Sequence, residues 1–123
     1  MVINVKILIV DDSLMIRRKI ECCIAFKSTQ EIIQAEDGEE AVRLFDLVQP
    51  DLVTMDLTMP KMEGAECVKR MVAINNASKI LVVSALTDKA TALEAIRHGA
   101  NGFLTKPFED KELDDALHKL YLV

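Results

Sequence analysis

Short aliphatic runs alternate with amphipathic stretches along the whole chain, and few architectures tolerate that rhythm. Val5 to Val10 is almost continuously aliphatic, as a strand buried on both faces must be. After it, Ile16, Ile20, Cys23 and Ile24 recur at helical spacing behind a potential Ser13 cap. The pattern then repeats. Glu31 to Ala35, Asp51 to Met55, Lys79 to Val83 and Gly102 to Leu104 read as strands. Between and after them lie a helix opened by Asp37-Gly38 and stopped by Pro50, one carrying Ala65, Val68 and Val72, one over Asp88 to His98 ended by Gly99, and a last one carrying Leu113, Ala116, Leu117 and Leu120. Regular βα alternation with short links predicts an α/β fold, a parallel sheet covered by helices on both faces.

The chain has 123 residues, the size of one domain, so residues 1–123 are expected to form a single unit. No apolar stretch approaches the roughly 20 residues needed to span a bilayer, and the Ile7 to Val10 run ends in two acids rather than a cleavage site. A cytoplasmic protein without membrane association is expected. The net charge of −5 argues against direct nucleic-acid binding. Cys22, Cys23 and Cys67 form no Cys-x-x-Cys pair and read as reduced, helix-borne thiols.

Open parallel sheets bind ligands at the carboxyl ends of their strands. The first strand ends in Asp11 and Asp12, the third in Asp56, the fourth in Ser84, and the fifth leads to Lys106. The second supplies Glu36 and Asp37. Helix capping accounts for Ser13, Asp37 and Asp88, but not for Asp56, which follows Leu52-Val53-Thr54-Met55 with no helix starting beside it. Two carboxylates about 4 Å apart repel by about 4 kcal/mol at an effective dielectric of 20, so three together call for a cation. Lys106 supplies one charge. A hard divalent ion suits the rest, and an all-oxygen site with few protein ligands fits Mg2+ better than calcium. Zinc would want Cys or His, and neither His98 nor His118 sits at a strand end. These parts make a phosphoryl-transfer set, with Asp56 as nucleophile, Lys106 and the metal offsetting charge, and Ser84 donating a hydrogen bond.

Those residues, together with Met55-Asp56-Leu57-Thr58-Met59-Pro60-Lys61-Met62-Glu63-Gly64, Ser84-Ala85 and Gly99 through Phe108, resemble the receiver domain of bacterial two-component response regulators. The resemblance covers essentially the whole chain. It implies a flavodoxin-like (βα)5 doubly wound sheet of strand order 2-1-3-4-5 and phosphorylation of Asp56 by a histidine kinase. Asp12 and Asp56 would ligate Mg2+ directly, with the Thr58 carbonyl as a third ligand and Asp11 acting mainly through water. Lys106 would hold the phosphoryl group, and Lys106-Pro107 would be a cis peptide. Ser84 with Ala85 would form one part of a switch, and Phe103 would turn inward as the other, changing the partner-binding face of helix 4, strand 5 and helix 5.

Nothing follows the fifth helix, so the output is expected in another protein. Met15, Arg17 and Val53 to Pro60 resemble stand-alone chemotaxis regulators, which implies a flagellar motor switch protein as target and a phosphatase as a further partner. Such a chain catalyses only its own phosphorylation and dephosphorylation and is not otherwise an enzyme. A phosphorelay intermediate feeding a histidine phosphotransferase is the alternative. A haloacid-dehalogenase-like phosphatase places its nucleophile after the first strand and its acid pair last, opposite to the order here. A flavodoxin-like electron carrier would set Asp11-Asp12 against the FMN phosphate.

Overall fold

A computed structural model describes residues 5–24, 30–59 and 61–121. Pro60 of the motif after Asp56 lies outside the described residues. Strands β1 (Val5–Val10), β2 (Gln30–Ala35), β3 (Leu52–Asp56), β4 (Lys79–Ala85) and β5 (Gly102–Lys106) alternate with helices α1 (Leu14–Ile24), α2 (Gly38–Val48), α3 (Gly64–Ile74), α4 (Lys89–Arg97) and α5 (Asp110–Tyr121). All strand pairs are parallel, and the sheet order is β2-β1-β3-β4-β5. The flavodoxin-like, doubly wound α/β arrangement expected from the sequence is therefore the one observed.

Side chains two apart on a strand share a face, so a strand covered on both faces feeds two cores. Ile7, Ile9, Leu52, Leu81, Val83 and Leu104 pack with Ile20, Cys23, Leu113 and Leu117 of α1 and α5. Leu8, Val10, Val53, Met55, Ile80 and Val82 pack with Phe45, Val68, Met71 and Ala95 of α2, α3 and α4. Both faces of β1 and β3 are thus covered, as their unbroken aliphatic runs require.

Local signals set several boundaries. The Ser13 hydroxyl accepts from the Ile16 N–H at 3.3 Å, and the Asp37 carboxylate from the Glu40 N–H at 2.9 Å, each capping its helix. Helix α2 ends in Gln49, which takes a left-handed conformation (φ 53°) one residue ahead of Pro50. Asp88 departs from the expected cap. A 3-10 turn over Leu86–Asp88 precedes α4, and the Asp88 side chain makes no capping bond. It accepts instead from the Thr58 hydroxyl at 3.1 Å, across the mouth between β3 and β4.

Three strands also run further than the sequence pattern indicates. Asp56, Ser84 with Ala85, and Thr105 with Lys106 occupy the last rungs of β3, β4 and β5, paired to their neighbours. Ladder pairing carries the backbone past the point where side chains turn polar.

Candidate functional site

The order 2-1-3-4-5 makes the chain leave β1 toward β2 and return across it to β3, so a crevice opens between the carboxyl ends of β1 and β3. Asp11 and Asp56 stand at those two ends. Asp11 shares strand parity with Ile7 and Ile9, Asp56 with Leu52 and Thr54, and Lys106 with Gly102 and Leu104. All three therefore point to the α1/α5 side of the sheet. Strand β4 lies between β3 and β5, so Lys106 must reach back across it, and its register partner there is the small Ala85. Lys106 Nζ ends 2.9 Å from Asp11 Oδ2 and 3.3 Å from Asp56 Oδ1.

Each acid is further held by backbone. The Ser13 N–H donates to Asp11 Oδ1 at 2.9 Å, so both oxygens of this fully buried carboxylate are engaged. The Arg17 guanidinium donates to the Asp11 carbonyl at 2.6 Å and to Gln34 at 2.9 Å. The Thr58 N–H lies 3.4 Å from Asp56 Oδ1. Gly64 makes the loop after Asp56 possible: a Cβ there would sit 2.5 Å from the Asp56 carbonyl oxygen and 2.6 Å from Leu57 Cα. The Gly64 N–H bonds to the Leu57 carbonyl at 3.1 Å, closing the loop on itself. Its other flank rests on α2, where a Cβ on Gly38 would meet Met62 Cβ at 2.5 Å.

Electrostatics follow from this enclosure. Burial, and then the charge on Asp11, push the Asp56 pKa from 3.8 up to about 6 against the opposing pull of Lys106. Burial alone would lower the Lys106 pKa. The hydrogen bond to Asp11 and the charges of Asp56 and Asp11 outweigh it and hold the ammonium above its ordinary value.

Asp11, the exposed Asp12 and Asp56 each offer a carboxylate oxygen, all within 4.8 Å of one another. Three hard oxygen donors at an open edge, without Cys or His, fit a hexacoordinate divalent ion that keeps several waters. Lys106 offsets only part of their charge, so the site suits a further cation. Ser84 Oγ is almost completely buried and has no hydrogen-bond partner among the described residues. A buried hydroxyl is seldom left in that state, and here it stands at the ligand edge of β4. Ser84 shares its face with Val82, and Phe103, which pairs with Val82, shares it too; this is the face opposite Asp56. Phe103 is 38% exposed and is not a core aromatic. Lys106-Pro107 is cis.

The residues of β2 stay out of the site. Asp37 caps α2, and its pKa is lowered chiefly by the Glu40 N–H, with Lys61 3.5 Å away. Glu36 donates its N–H to Glu40. Among the thiols, Cys67 is buried and pushed up to about 12, so it is chemically quiet. None of the helices among the described residues is long and apolar enough to cross a membrane. Sequence reasoning missed Lys19 and Asp88 as neighbours of the site's loops. Both lie on helical segments with nothing local to mark a distant contact.

Fold and site together define a class: a doubly wound sheet with an acid-rich, lysine-bridged crevice at its switch point. Residues 7–118 match the response regulator receiver domain, and the chain belongs to that family. It is 37% identical to the chemotaxis protein CheY of Listeria monocytogenes over 114 residues, which is 93% of this chain and 96% of that protein. It is equally identical to CheY of Thermotoga maritima over 115 residues, 94% of this chain and 96% of the relative. Among solved structures, Vibrio cholerae CheY4 superposes with a TM-score of 0.86 at 30% identity, covering 96% of this chain and 99% of that one. The CheY of a CheX-CheY-BeF3-Mg complex from Borrelia burgdorferi gives 0.87 at 28% identity, covering 94% and 87%.

Proposed function

We propose that this response regulator accepts a phosphoryl group on Asp56 from a histidine kinase and relays it, as a change of surface, to a chemotaxis target. One observation carries the reading: a buried strand-end aspartate shares a single lysine with a second buried acid, beside an exposed third. An Asp56 oxygen attacks phosphorus, the bond from phosphorus to the donor imidazole nitrogen breaks with its electron pair staying on that nitrogen, and the ring, protonated on its other nitrogen, leaves as neutral imidazole. Lys106 stands where it can meet the charge of the transferred oxygens, and the idle Ser84 hydroxyl can donate to one of them. Magnesium, held by Asp11, Asp12 and Asp56 with the Thr58 carbonyl, would neutralise further negative charge on the phosphoryl group.

The phosphorylated Asp56 carries close to two negative charges and draws Ser84 toward it. Phe103, on Ser84's face and part exposed, turns into the space released. The α4, β5 and α5 surface is thereby changed for its partner, a flagellar motor switch protein in the chemotaxis reading that the CheY relatives support. A phosphatase is the second partner in this reading, and the beryllofluoride-bearing relative, in complex with CheX, supports a further protein partner for the phosphorylated form.

Intact mass after incubation with acetyl phosphate and Mg2+ should gain one phosphate, and Asp56→Asn should gain none. Equal labelling of that variant would remove Asp56 from the role. Capture of partners with and without beryllofluoride then separates the outputs, a motor switch protein supporting chemotaxis and a histidine phosphotransferase supporting a relay.

A further inference from the structure

We infer that Lys19 is a positioning residue for Lys106, acting through the turn that follows it; this rests on the phosphoacceptor reading above. Among the described residues β5 is an edge strand with β4 as its only neighbour, and the Lys106–Ala85 pair is the last rung. Beyond it the chain turns through Pro107 and Phe108 into α5, without a ladder to hold it. The turn is fastened from α1. Lys19 Nζ donates to the Phe108 carbonyl oxygen and lies 4.5 Å from the centroid of the Phe108 ring. One helical turn further along, Cys23 Sγ lies 3.4 Å from the Asp110 carbonyl oxygen. The ring beneath Lys19 is buried in the α1/α5 core, so the fastening point is itself rigid.

Helix α1 begins directly after Asp11-Asp12, and the Ser13 N–H that opens it orients the Asp11 carboxylate. One rigid helix therefore fixes both sides of the Asp11–Lys106 contact. Its N-terminus holds the acid, and Lys19 holds the turn two residues beyond the lysine. Catalytic geometry is sensitive to displacements well under 1 Å, so loosening that turn should slow phosphoryl uptake while leaving the acids in place.

The test compares Lys19→Met, which keeps the aliphatic stem, with Lys19→Arg, which keeps the donor and the charge over the ring. At saturating Mg2+, Lys19→Met should take up phosphate from acetyl phosphate about three- to tenfold more slowly, the scale of one lost charged hydrogen bond at a partly exposed site. Its affinity for Mg2+ alone should stay within about twofold of wild type, because the metal-binding acids do not depend on the turn. Lys19→Arg should recover most of the rate. Wild-type speed in Lys19→Met, a parallel loss of Mg2+ affinity, or an Arg variant as slow as Met would each overturn the assignment. Wild type serves as the control: if it too takes up no phosphate, the phosphoacceptor reading has failed, whatever Lys19 does.

Discussion

On the sheet face under α1 and α5, the polar groups at the carboxyl edge hold one another. Lys106 spans Asp11 and Asp56, and the Ser13 and Thr58 amides point at the same two carboxylates. On the opposite face, under α3 and α4, Ser84 Oγ is buried with no partner among the described residues, and the Phe103 ring is part exposed. One face carries a charge cluster held by mutual contacts, with the buried Thr54 hydroxyl unpartnered among the described residues beneath it; the other carries the Ser84 hydroxyl and a part-exposed ring. The two sets lie on opposite faces of one sheet, and strand parity alone decides which residue belongs to which. A preorganised site needs the first set, and a two-state response needs the second.

The sharpest way to break this division is Gly64→Ala. The new methyl would meet backbone at 2.5 Å, and backbone cannot rotate away as a side chain can. A loss of about 3 kcal/mol or more is expected in denaturant unfolding, with phosphoryl uptake falling in step because the Asp56 loop must shift. A fully stable, fully active variant would show that the loop is not clamped as described.

Asp56→Asn should move stability the other way. In the metal-free protein Asp56 has a folded pKa of about 6 against 3.8, so its charge costs the fold stability as the pH rises through that window. Wild-type protein in EDTA should lose stability between pH 4 and 6 from this group, and the Asn variant should not. At pH 7 the variant should be more stable by on the order of 2–3 kcal/mol, an upper figure because Lys106 is shared with Asp11. Equal pH profiles for the two proteins would remove the claim that Asp56 is held against its own charge.

The smallest effect belongs to Ser84→Ala. Deleting a buried hydroxyl that has no partner among the described residues should change stability by no more than about 1 kcal/mol, toward greater stability. Phosphate should still be taken up, while the fluorine NMR signal of fluorinated Phe103 should stop responding to beryllofluoride. A ring that still moves in this variant would uncouple the two residues of the second face.

Much of this arrangement was legible in the sequence because it depends on periods and order. Aliphatic runs placed the five strands, and the polar residue after each run placed Asp11, Asp56, Ser84 and Lys106 at one edge. What the pattern missed depends on tertiary pairing. The ladder extends β5 through Lys106, whereas hydropathy falls away after Leu104. Asp88 looked like a cap, yet Thr58 on a neighbouring loop competes for its carboxylate. Phe103 stands on an edge strand that leaves it part uncovered, which its residue type alone does not reveal. Lys19 carries no local mark, since its partner lies 89 residues away.

The contact between Asp11 and Lys106 closes a span of 95 residues. Synthesis runs from the amino terminus, so a growing chain carries its acids long before the lysine that reconciles them has been made. No stretch of the sequence assembles the cluster by itself: one acid comes from the first strand, one from the third, the cation from the fifth. The cluster therefore assembles late and all at once, and any chemistry that needs all three groups waits for the fifth strand to be in place.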